Sequence, residues 1–164
     1  MNPNTAYAPF LVETHLQITE VLDGDSIKVS SMFKKNEKEI RLYGIDAPEN
    51  KVCRKLREDE KKTQLAGEFI MYLGSIATKF LLKIAPPGTK VTLLTEENNF
   101  FDFYKRQLAY VILPDGSCLN EILIREGYAR AEKEYFCEKL PEYQKLNFRA
   151  KQKKMGLYSL INRF

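Results

Sequence analysis

The sequence predicts an α+β, mainly β domain: a five-stranded Greek-key barrel with a helical segment between strands 3 and 4 and helices at the C-terminal end. Three observations carry this. Residues 16–45 contain three strand-like runs of alternating apolar residues, separated by Asp23-Gly24 and by the charged stretch 33–38. Leu65, Phe69, Tyr72, Leu73, Ile76 and Phe80 then recur at helical spacing. Two further strand-like runs follow, at 91–95 and 107–113, and helical patterns close the chain. At 164 residues, one domain spanning 1–164 is expected, large enough to bury a core without disulfide or structural metal.

Taken in order, residues 1–10 contain Pro3 and Pro9 and show no period, so a poorly ordered arm is expected. Strands are expected over 16–21 and 26–32, and over Arg41-Leu42-Tyr43-Gly44-Ile45, where alternation puts Arg41, Tyr43 and Ile45 on one face. Pro48 ends regular pairing. The segment 50–73 reads as an extended loop or an extra helix, rich in Lys and Arg that either track a nucleic-acid backbone or form a solvated face. Gly74 suggests a break in the helix that starts near Leu65, and Pro86-Pro87-Gly88 ends it. Pro114-Asp115-Gly116 is a turn. Asn120 is placed to cap a helix closed by Gly127, and Pro141 opens a last basic helix closed by Gly156. Five strands in this arrangement fit the OB type of barrel.

Composition narrows the chemistry. Charged residues make up 29% and the net charge is +4, which favours an anionic partner such as a nucleic acid. The single histidine, His15, excludes mechanisms that need two, and its alternating surroundings make it a solvent-facing strand residue. Cys53, Cys118 and Cys137 have no metal-site spacing and read as reduced and incidental. No stretch is apolar enough to span a membrane, and the compartment is left open.

The stretch Glu39–Glu49 carries the chemistry. It places one guanidinium, Arg41, inside a strand and two carboxylates, Asp46 and Glu49, just beyond it. That layout suits phosphate: a cation for the phosphoryl oxygens, one carboxylate for a metal, one for a water. The competing reading is a capping box with Asp46 as N-cap. Asp25, following the Asp23-Gly24 turn, starts a strand beside the one ending at Asp46. Neighbouring strands lie about 5 Å apart, so the two carboxylates can share a cation. Carboxylates, the Ala47 carbonyl and waters form an all-oxygen shell suited to Ca²⁺ rather than Zn²⁺. Arg106, before the fifth strand, is a candidate second clamp, since a guanidinium fork binds phosphate oxygens in pairs.

Four ordered blocks then stand out: Asp23-Gly24-Asp25-Ser26-Ile27-Lys28-Val29, Arg41 to Glu49, Tyr104-Lys105-Arg106-Gln107-Leu108-Ala109-Tyr110-Val111, and Asn120-Glu121 through Arg125 to Gly127-Tyr128-Ala129. Together they resemble the staphylococcal (thermo)nuclease family across residues 15–160. The resemblance implies a Ca²⁺-dependent phosphodiesterase on an OB barrel, acting on DNA and RNA with little sequence specificity. It implies Asp25, Asp46 and the Ala47 carbonyl as metal ligands, with Asp23 supporting them. Glu49 would act on the attacking water, and Arg41 and Arg106 on the phosphoryl charge. Tyr104 and Tyr135 would contact nucleotide. The family usually has Thr where Ala47 stands and Gly where Lys105 stands, so the turn before Arg106 is expected to change. Contacts to phosphate and base faces predict a preference for single strands, and a monomer is expected. Two other classes fit the same chain: a non-catalytic OB binder of single strands, and a protein-interaction module using Phe100, Phe101 and Phe103, residues that otherwise belong to the core or barrel rim.

Overall fold

The computed structural model describes residues 9–33, 36–134 and 136–164. Its centre is a closed barrel of five strands in the order β1-β2-β3-β6-β5, mixed with helices as in an OB fold. The strands are β1 (Phe10–Val21), β2 (Ser26–Ser31), β3 (Glu37–Leu42), β5 (Lys90–Glu96) and β6 (Gln107–Ile112). Two short strands, β4 (Ile45–Asp46) and β7 (Arg130–Ala131), pair separately. The helices are α1 (Arg54–Thr63), α2 (Gly67–Ile84), α3 (Leu119–Arg125) and α4 (Leu140–Gln152).

Closure depends on the length of β1. Its second half pairs with β2 and its first half with β5, and the register shifts between Glu13 and Leu16. The shift is a bulge at Thr14-His15, with His15 at φ 58 and exposed to solvent. A bulge bends a strand, which lets one strand serve two neighbours. The strand therefore begins at Phe10, six residues before its expected start. Phe10 is thus part of the barrel rather than of an arm, while residues 1–8 of that arm lie outside the described residues.

The core follows from the strand alternation. Ile18, Ile27, Val29, Ile40, Leu42, Leu93 and Val111 fill the barrel, capped by Leu73, Ala77 and Leu81 of α2 and Leu119 and Leu123 of α3. Three sequence expectations need correction here. The third strand does not run through Ile45: it ends at Leu42, and Gly44 turns the chain at φ +70. Leu42, Tyr43 and Ile45 are all buried rather than alternating, and a Cβ at Gly44 would sit 2.8 Å from the Tyr143 ring and 2.9 Å from Cys137 Sγ. Gly74 does not break α2. A Cβ at Gly74 would lie 2.4 Å from the Glu49 carbonyl oxygen, so the glycine permits close approach of helix to backbone. Asn120 does not cap α3. It is buried in the helix's first turn, where its side chain accepts from Val111 N and donates to the Tyr43 and Ala109 carbonyls.

The segment 50–73 contains α1 and the beginning of α2, which bend by 109° at the connection between them. That bend brings one face of α1 toward the end of β4. No single helix among the described residues is long and apolar enough to cross a membrane. Cys53, Cys118 and Cys137 are free.

Candidate nuclease site

The site forms where β2 and β3 end and β4 begins. Arg41 leaves β3 opposite Ser26 of β2, and the Leu42 N–H donates to the Asp25 carbonyl at 3.0 Å. The turn carrying Asp25 is held close. A Cβ at Gly24 would lie 2.6 Å from that of Ala47 and 2.9 Å from that of Ala77, so only glycine fits between β4 and α2. Its role is close packing, not a left-handed turn. Asp23 shapes the loop by accepting from Asp25 N at 2.9 Å and Ser26 Oγ at 2.8 Å.

These constraints bring Asp25, Arg41, Asp46 and Glu49 into one connected cluster. Arg41 Nη2 lies 3.3 Å from Asp25 Oδ2 and 3.3 Å from Asp46 Oδ1. Asp46 Oδ1 is 2.7 Å from Lys55 Nζ, which is 2.9 Å from Glu49 Oε1. The Ala47 N–H donates to Asp25 Oδ2 at 2.7 Å. The Cys53 thiol donates to Glu49 Oε2 at 3.6 Å. Asp46 is no N-cap, since the next helix starts at Arg54.

The surroundings shift the two aspartates in opposite directions. Burial, with Asp23 and Asp46 nearby, pushes Asp25 well above the usual carboxylate range despite Arg41. Burial acts on Asp46 too, but Lys55, Arg130 and Arg41 together hold its carboxyl below that range. Burial acts against the charged form of Arg41, yet Asp25, Asp46 and Asp23 keep its pKa above the ordinary arginine value.

Arg106 stands apart from this cluster. Its Nε donates to Asp102 Oδ2 at 2.7 Å, and Nη1 reaches Glu39 Oε1 at 3.3 Å. Glu39 is two residues before Arg41 in β3, so the two guanidiniums lie along the same side of that strand. Arg106 and Arg41 are near enough to repel each other electrostatically. The Arg106 guanidinium lies 5.7 Å from the Tyr104 ring centroid. Lys105 adopts φ 61, a conformation that favours glycine, so the position keeps a left-handed backbone despite carrying a side chain. Phe101, Phe103 and Tyr104 are exposed, which places these two phenylalanines on the rim and not in the core. Tyr135 lies outside the described residues.

Three cluster members escape a reading of the sequence. Lys55 and Asp59 belong to a charged run that resembles any solvated helix face; only their i,i+4 spacing hinted at a shared side. Arg130 comes from β7, whose two-residue pairing with β4 leaves no sequence pattern. Its Nη2 lies 2.5 Å from Asp46 Oδ2 and 3.8 Å from Asp59 Oδ1. Among the described residues no three acidic, histidine or cysteine side chains converge on one point as a ready metal cage. The donors around Asp25, Asp46 and Glu49 are nevertheless all oxygen, the type a hard divalent cation takes. Two of them already converge on a positive charge, the Lys55 ammonium. The residue types present fit such an ion, and the position where Asp46 and Glu49 converge is taken by the Lys55 ammonium.

A closed OB barrel with acidic and guanidinium side chains clustered at one rim is an arrangement on which phosphodiester-cleaving chemistry can be built. Residues 39–160 match the family described as Staphylococcal nuclease homologue, and the chain belongs to that family. It is 31% identical over 147 residues to an "Uncharacterized endonuclease" of Escherichia coli O157:H7, covering 90% of this chain and 78% of that one. It is 32% identical over 112 residues to "Endonuclease YhcR" of Bacillus subtilis, covering 68% of this chain and 8% of that much longer protein.

Proposed function

We propose that this chain is a Ca²⁺-dependent phosphodiesterase that hydrolyses DNA and RNA with low sequence specificity, prefers single strands and acts as a monomer. The observation that carries the reading is the linkage at one barrel rim of Asp25, Arg41 and Asp46 by contacts of 3.3 Å, with Glu49 joined to Asp46 through Lys55 at 2.9 and 2.7 Å. Asp25, Asp46 and the Ala47 carbonyl are the residues to hold the ion. When bound, it would supply a Lewis acid for the phosphoryl oxygens.

The chain's own groups divide the remaining work. Glu49 takes or orients the proton of the attacking water, a role worth about 10²–10⁴ in rate. Arg41 binds a phosphoryl oxygen from the β3 side. Arg106 binds a second from the loop side, which requires its guanidinium to turn from Asp102 or Glu39 toward the diester. Each preorganised cation of this kind is worth about 3–4 kcal/mol of barrier. The exposed rings of Phe101, Phe103 and Tyr104 next to Arg106 support a preference for single strands, whose base faces are free to stack.

The test is cleavage of a single-stranded oligonucleotide with Ca²⁺, repeated with chelator and with Glu49→Gln. Product is expected from wild type with Ca²⁺ and none with chelator, and Glu49→Gln with Ca²⁺ is expected to lose about 10²-fold or more in kcat. An intact but shifted oligonucleotide under every condition would mark a binding module instead. Turnover of Glu49→Gln close to wild type would remove Glu49 from the mechanism.

A further inference from the structure

Helix α1 brings into the carboxylate cluster a cation that the chemistry above does not use. Lys55 Nζ bridges Asp46 Oδ1 at 2.7 Å and Glu49 Oε1 at 2.9 Å. One helical turn further on, Asp59 Oδ2 lies 3.7 Å from the same nitrogen. Asp59 is itself buried and reaches Arg130 at 3.8 Å. A point charge on a flexible stem thus stands between one carboxylate of the cation site, Asp46, and the Glu49 carboxylate, with Asp59 as a further acceptor within reach.

We propose that Lys55 is a tethered cation that neutralises Asp46 and Glu49 in the ion-free protein and withdraws toward Asp59 when a divalent ion binds. The proposal rests on the Ca²⁺ reading above. Its physical basis is that Lys55 Nζ occupies Asp46 Oδ1, an oxygen the ion would take, while Arg41 and Arg130 stay beside this buried carboxylate when the lysine leaves. An ammonium and a divalent ion cannot share the same carboxylate oxygens, because the two cations repel. Asp59 sits at i+4 from Lys55, so rotation of the lysine stem alone transfers Nζ between partners and α1 need not unwind. Helix α1 thereby sets the ion's apparent affinity, since ions bind only the fraction of molecules in which the carboxylates are uncovered.

Calorimetric titration of CaCl₂ into the chelator-treated full chain tests this with wild type, Lys55→Gln and Lys55→Arg. Removing the ammonium is expected to tighten Ca²⁺ binding about tenfold or more, which corresponds to carboxylates uncovered about a tenth of the time in wild type. The charge-keeping Lys55→Arg is expected to stay near wild type. A Lys55→Gln affinity equal to or weaker than wild type would show a static structural ion pair and overturn the proposal. A further variant tests the destination: Asp59→Asn removes the carboxylate toward which Lys55 withdraws, so Ca²⁺ affinity is expected to fall several-fold below wild type. An unchanged affinity in Asp59→Asn overturns the switch and leaves the Ca²⁺ reading standing. Absence of Ca²⁺ binding in both wild type and Lys55→Gln overturns the Ca²⁺ reading and the switch with it.

Discussion

The two guanidiniums assigned to one phosphate are built in opposite ways. Arg41 sits in a barrel strand with its side chain 12% exposed, fixed between Asp25 and Asp46 and donating to the Asp25 and Leu42 carbonyls. Arg106 sits after a loop, 27% exposed, with Asp102 and Glu39 as partners. The first is part of the fold's own charge balance. The second is held by one buried carboxylate, Asp102, and one partly exposed one, Glu39, outside the Asp25–Asp46 cluster. One cation of the pair is preset and the other is adjustable, so substituting them separates catalysis from stability.

The largest effect is expected for Arg41→Ala. It leaves Asp25 and Asp46 buried with a partner removed, and breaking a buried pair of this kind costs about 3–5 kcal/mol. In a domain of this size that lowers the thermal midpoint by on the order of 10 °C, besides abolishing turnover. Calorimetry and an activity assay on the same sample check both halves. A variant that keeps its melting temperature would show that Lys55 and Arg130 alone balance the cluster.

Arg106→Ala comes next and sharpens the contrast. Asp102 Oδ1 still accepts from the Tyr104 and Arg106 backbone N–H groups, but Oδ2 loses the Arg106 Nε in a side chain only 3% exposed. Turnover is expected to fall about 10²–10³-fold, and the melting temperature to fall less than in Arg41→Ala, because one buried carboxylate rather than two loses a partner. An equal loss of stability in both variants would erase the distinction between preset and adjustable cations.

The same contrast separates what could be read from the sequence from what could not. Residues in local blocks were legible. The Arg41–Glu49 stretch, the Asp25 turn and Arg106 stand out as ordered blocks that resemble one family rather than each by its own residue type, and the barrel follows from alternating strands flanking one helical run. Contributions that depend on tertiary register were not legible. Lys55 and Asp59 have the composition of an ordinary solvated face; only the 109° turn between α1 and α2 directs them inward. Arg130 is recruited by a two-residue strand pair. Asn120 looks like a cap because asparagine suits caps, and only the packing of α3 against β6 turns it into a clamp on three backbone groups. Gly44 and Gly74 signal irregularity in sequence, but close approach to Tyr143 and Cys137 in one case and to Glu49 in the other decides what each glycine does.

Gly74→Ala probes the rigid side without touching a charge. Alanine improves helix propensity by up to about 1 kcal/mol, but here its Cβ would meet the Pro48 and Glu49 backbone at 2.4–2.6 Å. Backbone cannot rotate away as a side chain can, so α2 and the Pro48-Glu49 turn must separate. Overpacking of this kind costs about 1–3 kcal/mol, giving net destabilisation in a denaturant titration. Turnover is expected to fall as well, because Glu49 moves relative to Asp46. A stabilised Gly74→Ala would mean that propensity wins and that the turn yields easily.

The smallest effect is expected on the adjustable side, at Phe103. Its ring is 84% exposed and packs edge-on against Tyr104 at 5.8 Å, so removing it costs the fold little. If the ring stacks on a base beside the phosphate that Arg106 binds, Phe103→Ala weakens binding of single strands by about 1 kcal/mol, the low end for such stacking. That is roughly a fivefold rise in KM, with kcat unchanged because the ring touches neither the water nor the phosphorus. Paired bases offer no free face, so duplex KM is expected to move less, and the ratio of the two KM values becomes the readout. A change in kcat with no change in KM would instead make the loop a means of aiming Arg106, leaving the nucleotide's grip to other residues.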